Sequence, residues 1–235
     1  MVNAHWAIIP AAGVGNRMGS RTAKQYLPLA GRSVLSHTIE LLNQSPAITG
    51  IVLVGDQTVW PEDVFAQLEN VQWLSTPGGT ERCHSVMKGL DCLYGKARNP
   101  ESVSVLVHDA ARPCLRLTDL QRLIEQVSGS KQGGILATPV SDTIKKSSDS
   151  GLIERTLDRQ RLWRAQTPQL FLLSILRQSM REAIERELTI TDEASAMELA
   201  GFRPALIEGH TDNIKITRHE DLAMAEFFLA QQGRL

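Results

Sequence analysis

The chain has 235 residues, of which 42% are hydrophobic and only 5% aromatic, with 25 basic side chains balancing 26 acidic ones to a net charge of −1. That is apolar material for one large α/β domain with an aliphatic core, and the balance lacks the basic excess by which nucleic-acid binders neutralise phosphate. No apolar run approaches the ~18–20 residues that cross a bilayer, and Cys83, Cys92 and Cys114 are odd in number without C-x-x-C spacing, which argues against a disulfide framework or a structural zinc site.

The first element is a strand over residues 6–10, because its apolar stretch follows no positive segment and runs straight into a glycine loop. A cytoplasmic protein is the expectation. A helical pattern over 33–44 follows, then a strand at 51–54, a helix at 60–69 and a strand at 71–74. A helix over 80–94 starts after Gly78-Gly79, with Thr80 as its expected N-cap and Glu81 in its first turn. Strands at 103–107 and 134–139 enclose a helix at 117–128. Helices at 173–187, 192–200 and 218–231 complete the chain, the last with a stripe through Leu222, Ala225, Phe228 and Leu229. Strands alternating with helices predict a Rossmann-like, mostly parallel sheet flanked by helices, in a single domain spanning residues 1–235.

Residues 140–166 break this rhythm. Two short β-like arms surround the polar turn SSDSG, which predicts a projecting β-hairpin. An isolated hairpin is marginal in water, so Ile144, Leu152, Ile153 and Leu157 need a surface to cover them. A second copy of the chain is the expected cover.

Four segments carry the chemistry. PAAGVGNRMGSRTAKQY, residues 10–26, follows the first strand, and Gly13 and Gly15 allow a ligand close to the backbone, as a phosphate cradle requires. It is not a dinucleotide fingerprint, because Met18 stands where a small residue must pack, and Gly13 and Gly19 are one residue too far apart for a Walker loop. Arg17 and Lys24 follow the glycines with no acidic residue between, placed to stabilise charge in phosphoryl transfer; Arg21 is a third cation that could share the role.

VLVHDAARP, residues 105–113, ends a strand in Asp109, placed to hold Mg²⁺ or a substrate hydroxyl, with Arg112 available for a phosphate and His108 read as structural. In TPGGTERCHSV, residues 76–86, the glycine turn and Ser85 offer hydrogen bonds to a base edge. TITDEASAMEL (189–199) and HTDNIKIT (210–217) add Thr191 and Lys215, although TDEA also reads as a plain helix N-cap.

These segments, with GGILATPVSDTIK and TLDRQRLWRAQTPQLF, together resemble the 2-C-methyl-D-erythritol 4-phosphate cytidylyltransferases of non-mevalonate isoprenoid synthesis, in order from residue 8 to residue 230. The resemblance implies that Pro10, Ala11, Ala12 and Gly13, with Gly79, Thr80, Ser85 and Ala110, hold CTP. It implies that Arg17 and Lys24 stabilise the pentacoordinate α-phosphorus. Asp109, Arg112, Thr191 and Lys215 would then face methylerythritol phosphate, while Thr143 and Arg159 on the hairpin reach the active site of a partner in a homodimer. Two positions depart from the family's pattern: Asn16, where a second basic residue is frequent, and Thr80, where aspartate is frequent. The sister activity on ribitol 5-phosphate shares these features; a nicotinamide-dependent dehydrogenase, disfavoured by Met18, and a catalytically dead nucleotide-binding module are the readings of another class.

Overall fold

The computed structural model describes residues 4–13, 22–69 and 71–235. In chain order the strands are β1 (His5–Pro10), β2 (Pro28–Leu29), β3 (Arg32–Ser33), β4 (Ile48–Val54), β5 (Gln72–Thr76), β6 (Ser104–Val107), β7 (Gly134–Pro139), β8 (Ile144–Ser147), β9 (Ile153–Leu157), β10 (Trp163–Leu172) and β11 (Ala205–Glu208). The α-helices are α1 (Val34–Asn43), α2 (Glu62–Leu68), α3 (Arg82–Lys96), α4 (Leu117–Val127), α5 (Leu173–Glu185), α6 (Glu193–Leu199) and α7 (Glu220–Gln231). None of the described helices is long and apolar enough to cross a membrane.

Among the described residues, seven strands form one sheet in the order β11-β7-β10-β6-β1-β4-β5. Only β10 runs against its neighbours, antiparallel to both β6 and β7. The mostly parallel α/β architecture expected from the alternation is therefore the one observed. Buried strands covered on both faces read as continuous apolar runs, and here successive residues feed opposite layers. Ala7 and Ile9 of β1 join the layer beneath α1, α2 and α4, while Ile8 joins the layer beneath α3, α5 and α6. A third cluster packs α7, through Ala225 and Leu229, against Leu29, Val34, Cys114 and Ile216.

Several local readings need correction. α3 begins at Arg82 with Glu81 in the capping position and no side-chain cap, so Thr80 is not the N-cap; its hydroxyl lies 2.9 Å from His84 Nδ1 instead. β4 starts three residues before the predicted 51: Gly50 breaks the apolar run but stays in the strand opposite Trp6, whose ring atoms would stand 2.6 Å from an added Cβ. The helix at 192–200 does carry its expected cap: Asp192 accepts from Ser195 N in a capping box.

The hairpin is present, with β8 and β9 forming their own antiparallel two-stranded sheet around the turn at 148–152. It is shorter than 140–166, since 163–166 belong to β10. Leu152 and Ile153 are 70% and 68% exposed.

Candidate active site

The carboxyl ends of β1 and β6 and the start of α3 meet at one cleft of ≈ 430 Å³. Pro10, Ala12 and Gly13 form one wall, Gly79, Thr80 and Ser85 the facing wall, and Ala110 the floor. Ala11 stands behind that first wall. Its N–H is bonded to Val54 O and its carbonyl accepts from Gln25 Nε2 and Tyr26 Oη, so it shapes the loop and does not face the cleft. The buried Gln25 also donates to Gly13 O at 2.9 Å, which draws the loop's carbonyls away from the space a phosphate would enter. Gly15 and Arg17 lie outside the described residues.

The facing turn is held by Ser85. Its Oγ accepts from Gly79 N at 3.0 Å and donates to Glu81 O at 3.1 Å, leaving one lone pair to meet a ligand. Lys24 enters from the turn after the glycine loop and donates to Ile216 O at 2.7 Å, beside Lys215.

Asp109 is the electrostatic centre, only 6% exposed. Arg82 Nε donates to its Oδ1 at 2.8 Å, Lys215 Nζ sits 2.9 Å from Oδ2, and Arg112 Nε lies 3.5 Å from Oδ2. Burial pushes the Asp109 carboxyl upward, but Arg82, Lys215 and Arg112 outweigh it and hold the group well below the usual carboxylate range. A second pocket of ≈ 300 Å³ adjoins the first and shares Arg82, Asp109 and Lys215 with it. Arg112 and Thr191 line this second pocket, so the four residues expected to face the acceptor meet there. Thr143 and Arg159 do not: both are exposed on the arm segment, where Arg159 donates to Ser141 O.

Sequence reasoning missed Arg82. Beyond Asp109, its guanidinium grips Glu193 at 2.7 and 3.2 Å, and Glu193 is wholly buried. The Arg82 charge is thus held between two carboxylates and lines both pockets. The available signal was a cation three residues after the Gly78-Gly79 pair, but its Glu193 partner lies 111 residues away.

His108 is closed off from chemistry. Thr167 Oγ1 accepts from Asp109 N and donates to His108 Nδ1, and the ring's Nε2–H donates to Arg112 O, which sets a neutral tautomer. Burial pushes its pKa down to about 4. Between about pH 6.5 and 4 the unfolded chain therefore binds a proton that the native one does not, so stability falls as pH falls through that window, by as much as about 3 kcal/mol for this group. His5 and His37, lowered by burial, act in the same direction. Urea midpoints from pH 7 to 4 should show the decline, and His108→Gln should flatten it; an unchanged slope in that variant would refute the assignment.

Glycine turns at strand ends, a positively charged cleft and an adjoining pocket across one buried aspartate define a nucleotidyltransferase-type α/β protein. The family model described as 2-C-methyl-D-erythritol 4-phosphate cytidylyltransferase matches residues 5–231. The enzyme so named from Vibrio parahaemolyticus is 46% identical over 234 residues, 98% of this chain and 97% of its own length, and that of Hahella chejuensis is 44% identical over 226 residues, 95% and 92%. Among solved structures, a 4-diphosphocytidyl-2C-methyl-D-erythritol synthase aligns with TM-score 0.82 at 36% identity, covering 97% of this chain and 99% of that one. The Francisella tularensis 2-C-methyl-D-erythritol 4-phosphate cytidylyltransferase aligns at 0.81 and 32%, covering 96% and 100%. The chain belongs to the 2-C-methyl-D-erythritol 4-phosphate cytidylyltransferase family.

Proposed function

We propose that the chain, acting in the cytoplasm as one nucleotidyltransferase domain with an arm, transfers CMP from CTP to 2-C-methyl-D-erythritol 4-phosphate and releases pyrophosphate. The family match along residues 5–231 carries this reading. The two pockets that share Asp109 support it, since an in-line transfer needs donor and acceptor on either side of one reacting phosphorus. CTP occupies the larger pocket, with cytosine against the Gly79–Ser85 turn and phosphates against the glycine loop, and the acceptor occupies the smaller.

The acceptor's phosphate oxygen attacks the α-phosphorus and pyrophosphate leaves from the opposite side. A phosphate monoester has its second pKa near ~6 and arrives already anionic, so no general base is required. A neutral, enclosed His108 agrees with that. Lys24 and Arg17 stabilise the added negative charge, and Lys215 and Arg112 receive the acceptor's phosphate.

The donor set fits a magnesium ion carried in by the triphosphate. Glu193 is committed to Arg82, whereas Asp109 meets its cations through two oxygens that offer about four acceptor positions, leaving room for one metal bond. Asp109 would be the one carboxylate such an ion takes from the protein, and the ion would supply neutralisation of phosphate charge.

The exposed Leu152 and Ile153 fit burial against a second copy of the chain, with Arg159 and Thr143 entering that partner's acceptor pocket. Arg159→Ala should raise KM for the sugar phosphate at least ~10-fold and leave CTP affinity intact, the loss expected of one charge-assisted contact. Equal weakening of CTP would put the arm elsewhere.

The reading is tested by pyrophosphate release with Mg²⁺, offering CTP, UTP, ATP and GTP against methylerythritol 4-phosphate and ribitol 5-phosphate. Release with CTP and methylerythritol phosphate alone is expected. Preference for ribitol phosphate would move the protein to the sister activity, and silence with every pair would overturn the proposal.

A further inference from the structure

We propose that Glu81, Cys83 and His84, at the capping position and first turn of α3, form a binding site for a thiophilic divalent cation of the zinc class, placed to restrain the nucleotide cleft. A carboxylate oxygen, the sulfur and a ring nitrogen of these residues all lie within 4.8 Å of one another. Cys83 Sγ is 3.7 Å from Glu81 Oε2. Tetrahedral zinc ligands at ~2.0–2.3 Å from the metal stand roughly 3.3–3.8 Å apart, so this pair already has the required spacing. Side-chain adjustment on a partly exposed turn brings in the third ligand. The C-x-x-C test misses such a site because only one of its ligands is a cysteine.

Two further features favour it. All three ligands lie within four residues on a turn already fixed by Ser85, which bonds Gly79 N and Glu81 O, and by Lys88 Nζ, which donates to Gly78 O at 2.7 Å. Little chain entropy is lost in assembling them. Thr80 Oγ1, 2.9 Å from His84 Nδ1, already orients the imidazole ring at this turn. Cys83 binds the cation as a thiolate, and its proton passes to solvent as the sulfur–metal bond forms.

Three protein ligands leave a fourth position for water, which marks an exchangeable site and not a structural one. Mg²⁺ prefers oxygen and holds its own water, so the metal that serves the reaction does not compete for the thiolate. Glu81 and Thr80 line the nucleotide pocket, so occupation fixes the wall against which the nucleotide must settle. That consequence rests on the proposed function; the binding itself does not.

The test starts with the protein free of nucleotide and Mg²⁺, titrated with Cd²⁺ while its thiolate-to-metal charge-transfer absorption is followed, with Zn²⁺ as competitor. A saturable band that Zn²⁺ reverses is expected. It should vanish in Cys83→Ser although Cys92 and Cys114 remain, and His84→Asn should weaken binding roughly tenfold or more. No band, or a band that survives Cys83→Ser in a protein with an unchanged melting curve, overturns the site. At fixed Mg²⁺, added Zn²⁺ should raise KM for CTP severalfold in the parent and leave Cys83→Ser unaffected. Equal inhibition of both would overturn the link to the cleft.

Discussion

Lys24→Ala is expected to lower turnover at least ~100-fold while changing KM for CTP far less, the scale of losing one donor aimed at charge that develops in the transition state. The lysine is held at the edge of the cleft. It opens the short 3-10 turn Lys24–Tyr26, and its ammonium bonds Ile216 O at 2.7 Å, next to the Lys215 that pairs with Asp109. One side chain thus ties the nucleotide loop to the strand-end segment that carries an acceptor-side cation. The lost bond to Ile216 O should cost about 1 kcal/mol of stability, too little to unfold the protein. Lys24→Arg should recover only part of the rate, because a planar fork cannot take the place of a compact point charge. Single-turnover measurements with saturating CTP separate the chemical step from binding, and a near-normal rate in Lys24→Ala would remove the lysine from the reaction.

The strands that position the site were readable because burial on both faces leaves an unbroken apolar run between turn residues, as in the segments that became β1, β6 and β7. β10 was not. Pro168 within 163–172 argues against a central strand, and in the fold it falls where the ladder to β7 is interrupted between Ala165 and Gln169. β11 is four residues at the sheet's edge, with Leu206 turned to solvent, so its pattern is neither a continuous run nor a clean alternation. The site divides in the same way. Lys24, Asp109 and Lys215 sit in segments whose local chemistry announces a ligand, whereas Arg82 acquires its role through Glu193, and pairing across 111 residues leaves no trace in local composition. The hairpin lay between these extremes: its turn chemistry is local, but Leu152 and Ile153 stand exposed, and no local pattern says what would cover them.

Arg82→Ala should damage both stability and turnover, for two separable reasons. The first is stability. Glu193 is wholly buried, and Arg82 makes both of its charge-assisted bonds, so truncation strands a carboxylate in a low-dielectric interior at a cost of about 3–5 kcal/mol. The second is placement. Arg82 Nε holds Asp109 Oδ1 at 2.8 Å, and without it the carboxylate keeps only Lys215 and Arg112, both on its other oxygen, and is free to swing across the boundary between the two pockets. Misplacement of about 1 Å passed on to the reacting atoms by such a positioning group can cost ~100-fold in rate. The double variant Arg82→Met with Glu193→Met tells the two apart. Replacing a buried ion pair by packed apolar side chains is often neutral, so the double variant should melt well above Arg82→Ala. Turnover should nevertheless stay depressed about 100-fold, because nothing then steadies Asp109 from the nucleotide side. Recovery of turnover along with stability would mean that Arg82 serves only the fold.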